Sequence, residues 1–71
     1  MKTIVVSVRV LPGRQRQRVR LTARSKVAGL LDVLDLNPQT VVVRCNGKIV
    51  TEGEHLASGD LVEIIPIVTG G

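Results

Sequence analysis

The sequence contains no Phe, Tyr or Trp, one cysteine and one histidine. Without aromatic side chains the core must be aliphatic, and 13 Val and 5 Ile among 71 residues favour strands and argue against a four-helix bundle. A lone cysteine forms no internal disulfide, and no Cys or His cluster supplies the ligands of a structural zinc site. So short a chain forms one domain with a modest core, which excludes a multi-domain enzyme.

The sequence also lacks a long apolar run and, in its first 31 residues, any acidic residue. No stretch approaches the ~18 residues of a membrane span. The N-terminal apolar stretch is interrupted by Arg9 and has no small-residue cleavage site, so we expect a cytoplasmic protein with no membrane partner. Residues 1–31 hold eight basic residues, whereas residues 32–71 carry a net −4, so the overall charge of +4 is polarised along the chain.

Alternating apolar and polar residues predict an N-terminal hairpin. Residues 3–10 have the period of two of a strand with one buried face, and the Leu-Pro-Gly-Arg of residues 11–14 predicts a turn. Residues 16–21 predict the second strand, with Val19 and Leu21 on one face. Its other face carries Arg16, Arg18 and Arg20 and is strongly basic.

The apolar period changes to that of a helix at Val27. Apolar residues at i, i+3, i+4 and i+7 predict a helix of about ten residues packed on a sheet. Ser25 is its expected N-cap, and Asn37-Pro38 its expected end because the residue before proline is pushed out of helical geometry. The apolar stripe consists of Val27, Leu30, Leu31 and Leu34.

The second half of the chain predicts three more strands. Residues 40–45 are a β-branched run, Asn46-Gly47 predicts a type I′ hairpin turn, and residues 48–50 pair back. After a loop over residues 51–60, a last strand begins at Leu61 with Val62 and Ile64 inward. The order ββαβββ predicts an α+β, ubiquitin-like β-grasp fold in which one helix covers a mixed sheet of about five strands. A tightly curled small barrel is the alternative, but it would leave the helical stripe unburied.

Pro66 divides the predicted domain, residues 1–66, from a predicted flexible tail, residues 67–71. Because proline cannot donate to a ladder, we expect pairing of the last strand to stop near Ile65. Gly70 and Gly71 lack Cβ atoms, so the end that bears the α-carboxylate is thin enough to thread a narrow channel.

Three segments resemble the ubiquitin-like sulfur carriers of the ThiS and MoaD type, and the resemblance covers essentially the whole chain. They are Asn46-Gly47-Lys48-Ile49-Val50, Gly59-Asp60-Leu61-Val62-Glu63-Ile64 and Pro66-Ile67-Val68-Thr69-Gly70-Gly71.

The resemblance implies a protein co-substrate that is not itself an enzyme. An ATP-dependent adenylating enzyme would activate Gly71, with Thr69 and Gly70 required in the tail, and sulfur attack would then give a Gly71 thiocarboxylate. The chain would bind no cofactor, since its partner consumes the ATP. Further implied partners are a sulfur donor, such as a cysteine desulfurase or rhodanese-like protein, and a sulfur-accepting synthase. The pathways are thiamine thiazole formation, molybdopterin formation or transfer-RNA thiolation.

Aliphatic side chains beside the tail predict a docking patch for such a partner. If Val62 and Ile64 point inward, Ile65 and Ile67 point outward, and together with Val68 they form the candidate patch. An alternate strand register that buries them is the competing interpretation.

Two other functions stay open. The same activated Gly71 would make a protein modifier if a lysine amine captured it. In a different class, Arg16, Arg18 and Arg20 could contact phosphates in a basic nucleic-acid-binding module. The absence of aromatic residues to stack on bases favours instead an acidic protein surface, or simple solvation, as the surroundings of these arginines.

Cys45 and His55 are the remaining candidates for chemistry. Cys45 could carry a persulfide, but at the end of a β-branched strand we interpret it as a small hydrophobic residue. His55 with Glu52 and Glu54 could be metal ligands or an acid–base pair, but one histidine in a polar loop indicates a solvated segment, so we predict no metal site and no catalytic residue.

Overall fold

A computed structural model describes residues 2–67 of the chain. The observed order along the chain is the predicted ββαβββ, with an additional 3₁₀ turn at Pro38–Thr40 that was not predicted. The elements are β1 (Thr3–Val10), β2 (Gln17–Thr22), α1 (Val27–Val33), β3 (Val41–Cys45), β4 (Lys48–Val50) and β5 (Leu61–Pro66).

The five strands form one mixed sheet in the order β2-β1-β5-β3-β4. β1 and β5 are parallel, whereas β1 pairs with β2, β3 with β4 and β3 with β5 in antiparallel fashion. The predicted ubiquitin-like β-grasp fold is therefore confirmed. The last strand, β5, lies at the centre of the sheet.

The core lies between α1 and one face of the sheet and is wholly aliphatic, as the composition requires. Val27, Leu30 and Leu31 of the predicted stripe are buried, and Leu34 packs against them while half-buried. Val62 and Ile64 are fully buried, which confirms their inward direction. Because the stripe is covered by the sheet, the barrel alternative is wrong. The other core residues are Ile4, Val6, Val8, Leu21, Val43 and Leu56.

Helix α1 is shorter than predicted, and both of its predicted ends are wrong. Lys26 takes the N-cap position without a side-chain bond, while the hydroxyl of Ser25 lies 2.9 Å from that of Thr22. At the other end Asp35 adopts a left-handed φ of 58°, and the Leu36 N–H donates to the Leu31 carbonyl over 2.8 Å.

The Asp35 N–H also donates to the Asp32 carbonyl, and the two hydrogen bonds together form a Schellman motif. This motif ends α1 before the chain reaches Asn37-Pro38. In the described part of the chain, no helix is long and apolar enough to cross a membrane.

The Asn46-Gly47 turn between β3 and β4 has the predicted geometry. Both residues have positive φ, 52° for Asn46 and 84° for Gly47, as a type I′ turn requires. Its position is fixed further by the Asn46 side chain, whose amide donates to Asp60 and whose oxygen accepts from the Leu61 N–H, both over 3.0 Å. The turn thereby holds the start of β5 against the end of β3.

Candidate functional site at the end of β5 and on the open face of the sheet

The predicted covalent site lies just beyond the part of the chain that the structure describes. Val68, Thr69, Gly70 and Gly71 are outside residues 2–67, so their roles in docking, activation and covalent attachment stay predictions. The structure does fix where this segment begins. The Ile67 N–H donates to the Thr40 carbonyl over 2.8 Å, at the end of the central strand.

The prediction that pairing of β5 stops near Ile65 holds toward β1, where the ladder ends at Ile64, and is wrong toward β3. Val41 pairs with Pro66, and the Ile67 N–H bond to Thr40 continues the β3 ladder one residue further. On the other side of β5, the Leu11 N–H donates to the Ile64 carbonyl. Successive residues of β5 direct their backbone groups alternately toward β3 and toward β1, so the position of the missing Pro66 N–H faces β1. Pairing with β1 has already ended there, at Val10 and Ile64, and the ladder with β3 therefore loses no hydrogen bond. The boundary at residue 66 stays a prediction.

The predicted docking residues Ile65 and Ile67 follow Glu63 along the sheet face that α1 leaves uncovered, called the open face here. Ile65 is half-buried and pairs with the half-buried Val42 of β3. Ile67 is 45% exposed. Ile65, Ile67 and Val42 thus form an aliphatic surface at the end of β5, called the tail-proximal patch here. Their docking role stays a prediction.

A cluster of three charges lies beside this patch. Glu63 of β5 stands between Arg9 of β1 and Arg44 of β3, each of them its direct cross-strand partner. Arg44 donates to Glu63 through Nε over 2.8 Å and Nη2 over 2.6 Å, and Arg9 donates through Nη2. The hydrogen bonds from Arg44 and then Arg9 hold the pKa of Glu63 below its ordinary value. The cluster leaves one net positive charge at the centre of the open face.

This charge cluster was not predicted from the sequence. The outward position of each residue on its own strand was readable from the alternation. Which strands are neighbours, and in which register, depends on the parallel pairing of β1 and β5, for which the sequence has no local signal.

The three predicted basic residues extend the positive charge of the open face to the sheet edge. Arg18 and Arg20 are exposed on β2, opposite Ser7 and Val5 of β1, while Arg16 is exposed in the segment just before β2. Within residues 2–67, Arg9 and Arg44 are the only cations in ion pairs. The arginines of the edge therefore have no acidic partner in the described part of the chain.

Cys45, His55 and Asp60 meet in a cleft of about 310 Å³ between the β3–β4 turn and the 51–60 loop. Burial, followed by the charge and hydrogen bond of Asp60, raises the pKa of the Cys45 thiol to about 11. Partial burial favours the neutral form of Asp60, but hydrogen bonds from the Ala57 N–H, Asn46 and Cys45 outweigh it and lower the pKa of that carboxyl. A thiol held protonated is a poor nucleophile, which favours the structural interpretation of Cys45.

His55 is held by the backbone near the start of α1. Its Nδ1 lies 3.3 Å from the Arg24 carbonyl oxygen, and its backbone forms a bridge with Lys26. Across residues 2–67, no three His, Cys, Asp or Glu side chains are grouped closely enough to hold a metal ion.

Comparison with known proteins links this geometry to a family and a fold. The sequence model of the ThiS family matches residues 4–71. Among solved structures, SAMP1 from Haloferax volcanii superposes with a TM-score of 0.75 at 23% identity, covering 94% of this chain and 99% of that one. The HVO 2177 protein from Haloferax volcanii gives 0.78 at 21% identity, covering 97% and 88%. A ubiquitin from Caldiarchaeum subterraneum gives 0.73 at 16% identity, covering 99% and 100%.

Proposed function

Because the chain belongs to the ThiS family, we propose that it is a sulfur carrier whose Gly71 carboxylate is activated by an ATP-dependent adenylating enzyme and converted to a thiocarboxylate. The observation that supports the proposal is the position of β5 together with the extent of the family match. β5 is the central strand, the sheet holds it as far as Ile67, and the family match runs through the terminal Gly70-Gly71.

The chemistry follows from the properties of a carboxylate, which is a poor electrophile. Adenylation joins the Gly71 carboxylate to the α-phosphate of ATP and releases pyrophosphate. Attack of a sulfur nucleophile on the acyl carbon then expels AMP and leaves sulfur bonded to that carbon. Two glycines present no side chain that could hinder approach to the carbonyl or collide with a narrow activating site. The nucleophile would be a persulfide on a cysteine desulfurase or a rhodanese-like protein, and its attack would give an acyl disulfide. A second thiol would then cleave the S–S bond, leaving a disulfide behind and releasing the Gly71 thiocarboxylate for a sulfur-accepting synthase.

The carrier's own contribution is to bind and orient. The Cys45 thiol is held protonated, with a pKa of about 11, and is therefore a poor nucleophile for this reaction. The tail-proximal patch offers the adenylating enzyme an apolar contact, and the Arg9–Glu63–Arg44 cluster beside it contributes one net positive charge. The protein is therefore proposed to be the co-substrate of its activating enzyme.

The experiment that tests this is intact-mass analysis of the untagged protein purified from its own cells. We expect a fraction with one terminal oxygen replaced by sulfur. Gly71→Val should abolish that species, because a β-branched side chain obstructs the activating site, whereas Gly53→Ala, in an exposed loop, should retain it. A wild-type protein that never carries sulfur, or a Gly71→Val variant that is still adenylated, would contradict the proposal.

The same measurement separates the modifier alternative. If Gly71 is captured by lysine amines, its remnant should appear as an isopeptide on other proteins. The exposed Lys2, Lys26 and Lys48 are then acceptors on the chain itself. A tag fused after Gly71 should abolish both functions while leaving any nucleic-acid binding by the arginines unchanged. Such binding would instead fall steeply with rising salt.

A further inference from the structure

Strand β2 is an edge of the sheet with one side unpaired. In the sheet order β2-β1-β5-β3-β4 it pairs with β1 alone, and among residues 2–67 no element covers its other side. At six residues it is twice the length of β4, the opposite edge strand. β2 is therefore the longer template on which another strand could pair.

The phase of the β1–β2 ladder shows which backbone groups of β2 are free. The Ala23 N–H bonds the Lys2 carbonyl, and the Ser7 N–H bonds the Asp60 carbonyl on the other side of β1. Antiparallel pairs alternate between bonded and non-bonded, so Val19 exchanges bonds with β1 whereas Arg18 and Arg20 direct their N–H and C=O groups away from it.

The two faces of this edge differ sharply. Arg18 and Arg20 place exposed guanidinium groups on the open face, with no ion-pair partner among the described residues. On the face toward α1, Leu21 is buried, and the half-buried Val19 packs against the core. The edge thus offers alternating cationic and aliphatic positions together with free backbone donors and acceptors.

We propose that β2 binds an extended, acidic segment of a partner protein as an added sheet strand. Residues directly opposite each other in adjacent strands project from the same face, so the partner's side chains opposite Arg18 and Arg20 must be carboxylates. The partner residue between those two carboxylates projects from the same sheet face as Val19, so it must be aliphatic. The ligand is a segment in which Asp or Glu alternates with Val, Ile or Leu.

Two other occupants fit this edge less well. A second copy of β2 paired antiparallel would place arginines of the two copies beside each other, and like charges in register are destabilising. The phosphates of a nucleic acid could bind the arginine side chains. Phosphates only accept hydrogen bonds, however, so they would leave the free backbone carbonyls of Arg18 and Arg20 without a donor. The chain also has no aromatic side chain on which a base could stack.

This surface is separate from the proposed sulfur chemistry. β1 lies between β2 and β5, so a strand added to the outer side of β2 leaves the tail-proximal patch uncovered. The added strand can be tested without ATP or an activating enzyme, and its failure would leave the carrier proposal untouched.

The test is amide hydrogen exchange of the isotope-labelled full-length protein with a short synthetic peptide in which Glu alternates with Val. We expect slowed exchange at Arg18 and Arg20, whose N–H groups face outward, and no change at Val19 and Leu21, whose N–H groups β1 already occupies. A peptide of the same composition with its Glu residues grouped together should bind more weakly. Failure of the alternating peptide to bind, or binding that leaves the Arg18 and Arg20 amides unprotected, would overturn the proposal.

Charge reversal supplies the second arm. Arg18→Glu with Arg20→Glu should weaken binding of the Glu–Val peptide by at least about tenfold and confer binding of a Lys–Val peptide. Arg14→Glu with Arg24→Glu makes the same change of net charge outside β2 and should retain binding within about twofold. Arg18→Gln with Arg20→Gln gives a milder variant should the reversal unfold the protein. Equal losses in the two reversal variants, or binding of polyuridylate but not peptide through these arginines, would overturn the proposal.

Discussion

Ile67→Ser tests whether the tail-proximal patch contributes binding energy to the activating enzyme. The side chain is 45% exposed, and the backbone N–H that bonds Thr40 is unchanged by the substitution, so the end of β5 should be preserved. Complete burial of an aliphatic side chain of this size is worth ~1.5–3 kcal/mol, so covering the exposed part of Ile67 contributes about 1 kcal/mol. A loss of that size corresponds to about fivefold in affinity.

The assay is ATP–pyrophosphate exchange catalysed by the adenylating enzyme at increasing carrier concentration. If Ile67 only binds, Ile67→Ser should raise KM about fivefold and leave kcat unchanged. Val33→Ser is the matched control, because Val33 is 62% exposed on α1, on the opposite side of the sheet, and should leave KM within about twofold.

Two results would refute the reasoning. Equal KM increases in both variants would show that any exposed aliphatic residue matters, so that the patch has no special role. A fall in kcat at saturating carrier, with KM unchanged, would place Ile67 in the threading of the tail and not in docking.

Three further predictions concern the body of the domain. Leu30→Ala should lower the free energy of unfolding in urea by about 2–5 kcal/mol, since Leu30 is fully buried beneath the sheet; a loss below about 1 kcal/mol would contradict that burial. Gly47→Ala should cost about 1–2 kcal/mol in the same measurement because φ is 84° there, whereas Gly53→Ala, with no such strain and ordinary contacts, should be near neutral; equal losses would refute the strain argument. Alkylation of Cys45 should be slow at neutral pH and accelerate toward pH 11. At a given pH, Asp60→Asn should accelerate the alkylation, because it removes the negative charge that disfavours the thiolate. An unchanged rate would exclude Asp60 as a cause of the raised pKa. Because the pKa of Cys45 rises from 9.0 to about 11 on folding, its contribution to stability is present below pH 9 and lost as the pH rises through about 11.

The sequence predicts most of the fold because its local signals and the tertiary structure agree. The alternation in β1, the stripe on α1 and the Asn46-Gly47 turn each specify their own element, and each recurs in the structure. The sequence mispredicts the end of α1, because Asp35 adopts a left-handed conformation that glycine more commonly takes. The pairing of Pro66 with β3 was missed for a different reason: the effect of a missing N–H depends on which neighbouring strand it faces.

The candidate site was only partly predictable, because it also depends on which strands are neighbours in the sheet. The direction of Ile65 follows from alternation on a single strand, but the contact of Arg9 and Arg44 with Glu63 depends on three strands that are distant in sequence. The free edge of β2 likewise follows from sheet order, which no local pattern encodes.

The number of residues between Ile67 and Gly71 limits the distance between the tail-proximal patch and the proposed chemistry at Gly71. The sheet fixes Ile67 by its bond to Thr40, and the four residues that follow span at most about 14 Å even when fully extended. An enzyme that holds the Gly71 carboxylate in its active site must therefore contact the surface around the end of β5 at the same time. Ile65, Ile67 and Val42 lie within that reach, whereas Val33 lies on the other side of the sheet. If Gly71 is adenylated as proposed, this short reach brings the activating enzyme to the end of β5, where the tail-proximal patch lies, and we expect the energy gained by covering the patch to help hold the tail in the active site.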